Sequence, residues 1–206
     1  MKRLITRSAG AVLITAALGL SAAGVAVASV AAPSRDATTS SAVAVHNTVD
    51  VTFARLIYLH HLGAIQMTED AVTRATGKTK ALAALIEKQQ KADLPVIRGL
   101  LRSYGLSTTV ASMRDTPDRS LADRQAMADG MTASEMHALK RVPRGLAFDR
   151  AFLSQMSVHH GGAVELAAID LAHGENSATM TFANKVAASQ AAQILVMRHL
   201  LASLSQ

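Results

Sequence analysis

Two histidine pairs stand in the same local frame on two segments of the chain, and this duplication constrains the fold more than any other feature. In each frame an Asp and a Phe precede the pair, and a Gly-Ala step follows it. The pairs are His60-His61 and His159-His160, and the matched positions of the two frames are offset by 99 residues. Imidazole is the commonest protein metal ligand and titrates near neutral pH. Two pairs placed alike predict one shared site, built when two similar halves fold together.

Four segments carry apolar residues at steps of three and four, which indicates amphipathic helices. They span residues 49–74, 80–104, 146–172 and 177–204, approximately. The second and fourth segments also match each other, with an offset of 100 residues. No stretch alternates with a period of two, so we expect no sheet. The chain is therefore predicted to be all-α: a four-helix bundle made of two repeated helical hairpins, with short helices in the central connection.

The predicted helical bundle domain comprises residues 49–206. It consists of two repeat units, 49–105 and 146–206, joined by a connector, 106–145. Asp50 is the predicted N-cap of the first helix and Gly77 its predicted stop signal. Pro95 is expected to kink or break the second helix.

The connector is expected to hold loop residues up to Pro117 and then a short helix to about Ala128. Thr132-x-x-Glu135 is a capping-box pattern that predicts a further short helix. Pro143 and Gly145 are expected to end that helix.

The first 32 residues have the composition of a signal peptide, with a basic start, an uncharged run from Ala9 to Ala32 and a small-x-small site at Ala26-Val27-Ala28. An uncleaved membrane anchor is the alternative, since the uncharged run is long enough to span a bilayer. Residues 33–48 are rich in Ser, Thr and Ala and are interpreted as a flexible leader. The sequence thus predicts an exported protein of the extracellular space or cell envelope, which contacts a membrane only if the anchor is retained.

Composition excludes several classes of function. Without the signal segment the chain has 18 basic and 15 acidic residues, and its few aromatics form no basic-aromatic pattern, so nucleic acid binding is not expected. There is no cysteine, so a packed core must stabilise the exported chain, and any soft-metal site must use Met and His. The chain also lacks Glu-x-x-His, His-Glu-x-x-His and Gly-x-Ser-x-Gly patterns. Their absence favours a non-catalytic protein.

The candidate ligands share one face of the predicted bundle. Imidazole accepts copper, zinc, iron and nickel, and thioethers prefer Cu(I), so a mixed set of His and Met indicates copper first. Amide and carboxylate side chains at matched positions of the second helices are expected to orient the imidazole rings. The predicted metal ligands are His60, His61, His159, His160, Met67, Met156 and Met197, and the predicted supporting residues are Gln90, Asp93, Gln190 and Gln193. Hydrogen-bonded core histidines and core-filling methionines are the alternative interpretation, because a duplication copies residues whether or not they bind an ion.

The same residues resemble a known family, the domain-of-unknown-function 305 family. Its duplicated Phe…Met-x-x-His-His-x-x-Ala…Met frame is similar to Phe53–Met67 and Phe152–Leu166. Its Gln-x-x-Glu-Ile-x-x-Met element is similar to residues 90–97 and 190–197, and Met131-Thr132-x-x-Glu135-Met136 resembles its central motif. The resemblance covers about residues 49–206. It implies an exported bacterial protein with a ferritin-like helical bundle, and a link to copper binding and tolerance in some members.

The chain departs from the family pattern at four positions. Ile57, Ile97 and Leu166 replace family methionines, and Gln193 replaces the acidic residue. A site poorer in thioethers favours Cu(II) or zinc as alternatives to Cu(I). Two functions therefore stay open: a copper-binding bundle for metal sequestration or tolerance, or a cell-surface scaffold whose His pairs are structural. A homo-oligomer is compatible with either.

Overall fold

The computed structural model describes residues 43–117 and 133–204, which form six α-helices and no strand. The four long helices are α1 (Thr48–Arg74), α2 (Gly77–Ser103), α5 (Leu146–His173) and α6 (Ser177–Ser203). The two short helices are α3 (Val110–Met113) and α4 (Ala133–Arg141). The prediction of an all-α bundle of two hairpins is confirmed. None of the described helices is long and apolar enough to cross a membrane.

Several predicted features fall outside these ranges. They are the signal segment or anchor, the leader up to residue 42, Thr132 and the helix expected to end near Ala128. Residues 43–47 of the leader do lie within the description and contact the hairpin of α1 and α2, and its last residue, Thr48, begins α1. The amide of Ala44 donates to the carbonyl of Ser103 at 2.9 Å, and the His46 ring stacks on Tyr104 with a centroid distance of 4.1 Å.

The two hairpins, α1 with α2 and α5 with α6, meet along α1 and α5. These two helices run antiparallel. At one end the Asn47 side chain donates to the carbonyl of His173 at 2.7 Å, and at the other the Gly145 amide donates to the carbonyl of Arg74 at 3.3 Å. The midpoint of the crossing therefore falls near His60 and His159. The two repeat units are related by a pseudo-twofold axis that passes near this midpoint.

A first-turn Asp of each unit caps the second helix of the other unit. The Asp50 carboxylate of α1 accepts from the backbone amides of Glu175 and Asn176, where α6 begins, at 3.1 Å. The Asp149 carboxylate of α5 accepts from the amide of Thr76 at 3.0 Å and from the Thr76 hydroxyl, where α2 begins. The first amides of a helix have no partner inside the helix. Each unit therefore supplies acceptors that the other unit needs, and this exchange stabilises the hairpin–hairpin interface.

Asn47, not the predicted Asp50, is the N-cap of α1. The Asn47 side chain accepts from the amides of Val49 and Asp50, and the Asp50 carboxylate accepts from the Asn47 amide at 2.8 Å, which closes a capping box. The prediction was wrong because Asn is as good a cap as Asp and lies one turn earlier. This placement leaves the Asp50 carboxylate in position to reach α6.

The boundaries of α2 also differ from the prediction. Gly77 does not stop α1, which already ends at Arg74; it begins α2, with a φ of +45° that favours glycine. Pro95 does not break α2, which continues to Ser103. Pro95 is exposed, so the carbonyl that loses its helical donor faces water. The predicted loop contains one helical turn, α3, which is capped by the Thr109 hydroxyl.

The core consists of two apolar clusters with a polar layer between them. One cluster includes Phe53, Tyr58 and Ile97, and the other includes Met67, Ile86 and Phe152. Along all four long helices, the residues between the clusters are buried and polar. We call this set the polar layer: His60, His61, Gln90, Asp93, His159, His160, Gln190 and Gln193, each at most 8% exposed. The repeat thus places eight polar side chains from four helices at one level of the core.

The crossed capping predicts a specific loss of stability. Asp149→Ala removes both acceptors from Thr76 and should lower the free energy of unfolding by about 1–2 kcal/mol. Urea denaturation of the full-length chain measures this loss. Glu165→Ala, on an exposed face of the same helix, is the control and should change stability by less than about 0.5 kcal/mol. An equal loss in both variants would contradict the capping role.

Candidate metal centre

His60 and His159 meet where α1 crosses α5. Their ring centroids are 3.7 Å apart, and the ring planes are inclined by 41°. The Nε2–H of His60 donates to the backbone carbonyl of His159 at 2.7 Å. Both side chains are 2% exposed. The predicted convergence of the two His pairs is therefore present for one member of each pair.

Gly63 makes this close approach possible. A Cβ atom at residue 63 would lie 3.2 Å from Nε2 of His159, tighter than an ordinary van der Waals contact. Gly63 belongs to the duplicated frame, three residues after His60. The duplicated frame therefore carries a signal for close helix packing in this glycine, which the prediction of the site did not include.

The outer members of the pairs, His61 and His160, are directed to the second helix of their own hairpin. Within each pair the ring centroids are 6.3 Å apart. Nε2 of His61 lies 3.4 Å from Oδ2 of Asp93, and Nε2 of His160 donates to Oε1 of Gln193 at 2.7 Å. The two halves thus share one geometry, with a carboxylate in the first and a carboxamide in the second. Asp93 and Gln193 thus contact the outer imidazoles, and their role in orienting metal-bound rings stays a prediction.

Two contacts between the hairpins were not predicted. The Lys185 ammonium of α6 pairs with the Asp93 carboxylate of α2, and the Gln193 amide nitrogen donates to Oε1 of Gln89. At an offset of 100 residues, Lys185 matches Leu85 and Gln89 matches Ser189. Because neither Lys185 nor Gln89 is duplicated, the repeat pattern of the sequence does not indicate these two contacts.

Burial keeps the histidines neutral. It lowers the pKa of His159 to about 3, with the neighbouring His160 adding to the effect. Burial also lowers the pKa of His160 to about 4, against an opposing contribution from the Gln193 hydrogen bond. The pKa of His60 falls well below its usual value because of burial and the closeness of His159. Neutral imidazole is the form that ligates metals.

The layer holds one negatively charged group, the Asp93 carboxylate, which lies beside the His61 imidazole. Burial lowers the pKa of His61, while the hydrogen bond to Asp93 opposes that shift. For Asp93, burial favours the neutral acid, but hydrogen bonds from His61 and Lys185 bring its pKa below the usual value. Asp93 is therefore a carboxylate. Lys185, whose side chain is 59% exposed, connects it to the protein surface.

The remaining predicted residues are also buried. Met67, Met156 and Met197 are fully buried in the apolar cluster that borders the polar layer. Gln90 and Gln190 are 3% exposed, and their Oε1 atoms have no hydrogen-bond partner among the described residues.

The donor types suit a borderline or soft metal, but the side chains do not form a closed ligand set. Over residues 43–117 and 133–204, no group of three or more His, Cys, Asp or Glu side chains is arranged to hold an ion. Nδ1 of His159 and of His160 are buried, and neither has a hydrogen-bond partner within the same residues. A buried nitrogen without a partner is costly, so these two atoms are available to a ligand.

Comparison with known proteins places the chain in a family. Residues 50–201 match the model of the domain of unknown function DUF305. The chain belongs to the DUF305 family. No curated protein has a matching sequence.

Two solved DUF305 structures share the fold. A candidate secreted protein from Streptomyces coelicolor is 24% identical with a TM-score of 0.66, over 76% of this chain and 94% of that one. A fragment from Deinococcus radiodurans is 22% identical with a TM-score of 0.63, over 75% of this chain and 96% of that one. Since identity is below 25%, these likenesses establish the fold of this DUF305 protein and leave its function to the site.

Gly63 and Gly161 allow a matched test of the packing between the His pairs. Gly63→Ala should displace the His159 ring, whereas a Cβ atom at Gly161 would meet no atom within 4 Å. Gly161→Ala should stabilise the protein by about 0.5–1 kcal/mol through better helix propensity. Gly63→Ala should lack this gain and be less stable than Gly161→Ala by about 1 kcal/mol or more in urea denaturation. Equal stabilisation by both substitutions would show that the His159 ring is not confined.

The lowered pKa of His160 predicts acid sensitivity. Because its pKa is lower in the folded state than in the unfolded chain, its contribution to stability is complete above about pH 6.5 and is lost as pH falls toward about 4. His160→Gln should reduce the dependence of unfolding free energy on pH by about 1 kcal/mol per pH unit in this window. Urea denaturation at several pH values measures it. The exposed control, His199→Gln, should keep the wild-type dependence.

Proposed function

We propose that this DUF305 protein is an exported, non-catalytic protein that binds a copper ion in its polar layer. The observation that carries the proposal is the meeting of one imidazole from each His pair, His60 and His159, in a buried layer where burial keeps the imidazoles neutral. The ligands would be His60, His61, His159 and His160. Metal sequestration or tolerance is the role that such a site would serve.

The choice of copper follows from the donor types. Met67, Met156 and Met197 border the layer, and thioether sulfur prefers Cu(I) over harder ions. Nitrogen-dominated ligation would favour Cu(II) or zinc, which are the alternative ions. Copper bound here would be stored rather than used in catalysis, because the sequence carries none of the catalytic motifs considered above.

The lone pair that a metal ion needs lies on the ring nitrogen opposite the one that donates a hydrogen bond. Nε2 of His60 donates to the His159 carbonyl, and Nε2 of His160 donates to Gln193, so each ring presents its lone pair on Nδ1. An ion can use the unpartnered Nδ1 atoms of His159 and His160 directly. Asp93 and Gln193 would then hold the outer rings in orientation.

Export is part of the proposal. The basic and apolar N-terminal segment supports it, as does the description of the Streptomyces coelicolor relative as a candidate secreted protein. The absence of cysteine fits a site that must work without thiolates outside the cell.

Thermal unfolding with and without metal tests the proposal. Cu(I), kept reduced under nitrogen, should raise the unfolding midpoint of the full-length chain at neutral pH, because an ion that binds only the folded state stabilises it by mass action. The double variant His60→Gln/His159→Gln should lose most of this increase. His199→Gln, which changes an exposed histidine, should keep it. Parallel titrations with Cu(II) and Zn(II) identify the preferred ion.

Leucine substitutions separate the roles of nitrogen and sulfur. If thioethers ligate, Met156→Leu and Met197→Leu should weaken Cu(I) binding and leave Zn(II) binding unchanged, since zinc has little preference for thioethers. If no metal moves the midpoint of the wild-type chain, the copper proposal is wrong.

The second candidate function is a cell-surface scaffold in which the His pairs fix the register of the helices. The hydrogen bonds of His60 and His160 inside the layer, and the lack of a closed ligand group among the described residues, favour it. Replacing all four histidines by Gln discriminates the two functions. A scaffold should lose stability with no change in metal response, whereas a metal protein should lose both.

A further inference from the structure

A second buried polar site lies where the start of α1 meets the end of α5, about ten residues from the polar layer along each helix. Asp50 and Asp170 are both fully buried there. A Cβ atom at Gly174 would lie 2.9 Å from Oδ1 of Asp50 and 2.9 Å from Oδ1 of Asp170, so the two carboxyl groups border the same point. Two negative charges in one buried site repel each other strongly.

The two carboxyl groups differ in their hydrogen bonds. Asp50 accepts from the backbone amides of Asn47, Glu175 and Asn176. Donors of this kind stabilise a carboxylate. Neither oxygen of Asp170 has a hydrogen-bond partner among the described residues. Asp170 therefore has no donor that would stabilise a negative charge.

We propose that Asp50 and Asp170 share one proton, so that Asp170 is a neutral acid that donates a hydrogen bond to the Asp50 carboxylate. The proton comes from solvent and binds the Asp170 carboxyl. The resulting bond fastens the capping box of α1 to the end of α5, next to the turn that leads into α6. The site is thus a proton-dependent latch between the two repeat units.

The surrounding groups are consistent with one bound proton. Burial and the neighbouring Asp50 raise the pKa of Asp170 to about 7. Among the described residues, Tyr104 at the end of α2 also faces the site; its hydroxyl hydrogen-bonds to Thr179 of α6, and the His46 ring stacks on it. Burial raises the pKa of Tyr104 to about 12, so it stays neutral. Within the described residues, neither carboxyl group has an ion pair with Lys, Arg or His.

The repeat itself supplies a comparison. Asp149 is the counterpart of Asp50, but position 71, the counterpart of Asp170, is a fully buried alanine. At that end of the bundle a single carboxylate caps Thr76 and has no second carboxyl at the matched position. The acid pair is therefore an addition to one half, and the common helix-capping role does not account for Asp170.

Carbon NMR of the side-chain carboxyls, recorded on the full-length chain from pH 4 to 9, tests the proposal directly. The Asp170 carboxyl should titrate with a midpoint of about 7. A midpoint in the usual range for aspartate, near 4, would overturn the shared proton. This measurement needs no variant, so it decides the question even if substitutions at Asp170 impair folding.

Stability measurements give an independent readout. The raised pKa of Asp170 means that its contribution to stability is complete below about pH 4 and is lost as pH rises through about 7. Asp170→Asn keeps a donor beside Asp50 but cannot ionise, so its urea midpoint should rise relative to wild type between pH 5 and 8. Glu165→Gln, which removes an exposed carboxyl from the same helix, is the control and should follow wild type. A constant difference between Asp170→Asn and wild type would overturn the proposal.

Calcium distinguishes a proton from a metal cation. Added calcium chloride at pH 6, where Asp170 holds its proton, should leave the difference between the unfolding midpoints of wild type and Asp170→Asn unchanged. If calcium stabilises wild type alone, the acid pair is a cation site and the shared proton is wrong. Neither result depends on copper, so the latch can fail or hold independently of the proposed metal function.

Discussion

The burial of eight polar side chains at one level of the core is the constraint on which the rest of the structure depends. A buried polar group must be hydrogen-bonded or it destabilises the fold. His60 meets this requirement across the crossing of α1 and α5, and His160 meets it within its own hairpin. These hydrogen bonds favour one register of the helices, because a shift of a single residue would break both of them.

The ends of the bundle enforce the same register by a different interaction. Asp50 and Asp149 each cap a helix of the other unit, so the two hairpins are joined at both ends of the crossing as well as at its centre. The half with Asp170 adds a second carboxyl group to this arrangement. An internal duplication has thus diverged at three levels: Asp93 against Gln193 in the layer, Lys185 against Leu85 beside it, and Asp170 against Ala71 at the end.

Much of the fold could be predicted because its determinants are local and repeated. The spacing of apolar residues located the four long helices, and the duplicated His frame predicted their pairing into hairpins. The errors fell at helix boundaries, where Asn47 and Asp50 both have the chemistry of a cap and only the path of the chain decides between them. Pro95 was expected to disturb α2, but its exposed position lets water replace the lost hydrogen bond.

The sequence by itself determined which residues are polar within apolar stripes, and hence which side chains form the layer. It could not determine which imidazole faces which, because that depends on how α1 crosses α5. Only the tertiary structure brought His60 against His159, directed His61 toward α2 and His160 toward α6, and placed Asp170 beside Asp50. The physical reason is range: helix periodicity acts over a few residues, whereas these contacts join side chains 32 or 33 residues apart within a hairpin and 99 residues apart where His60 meets His159.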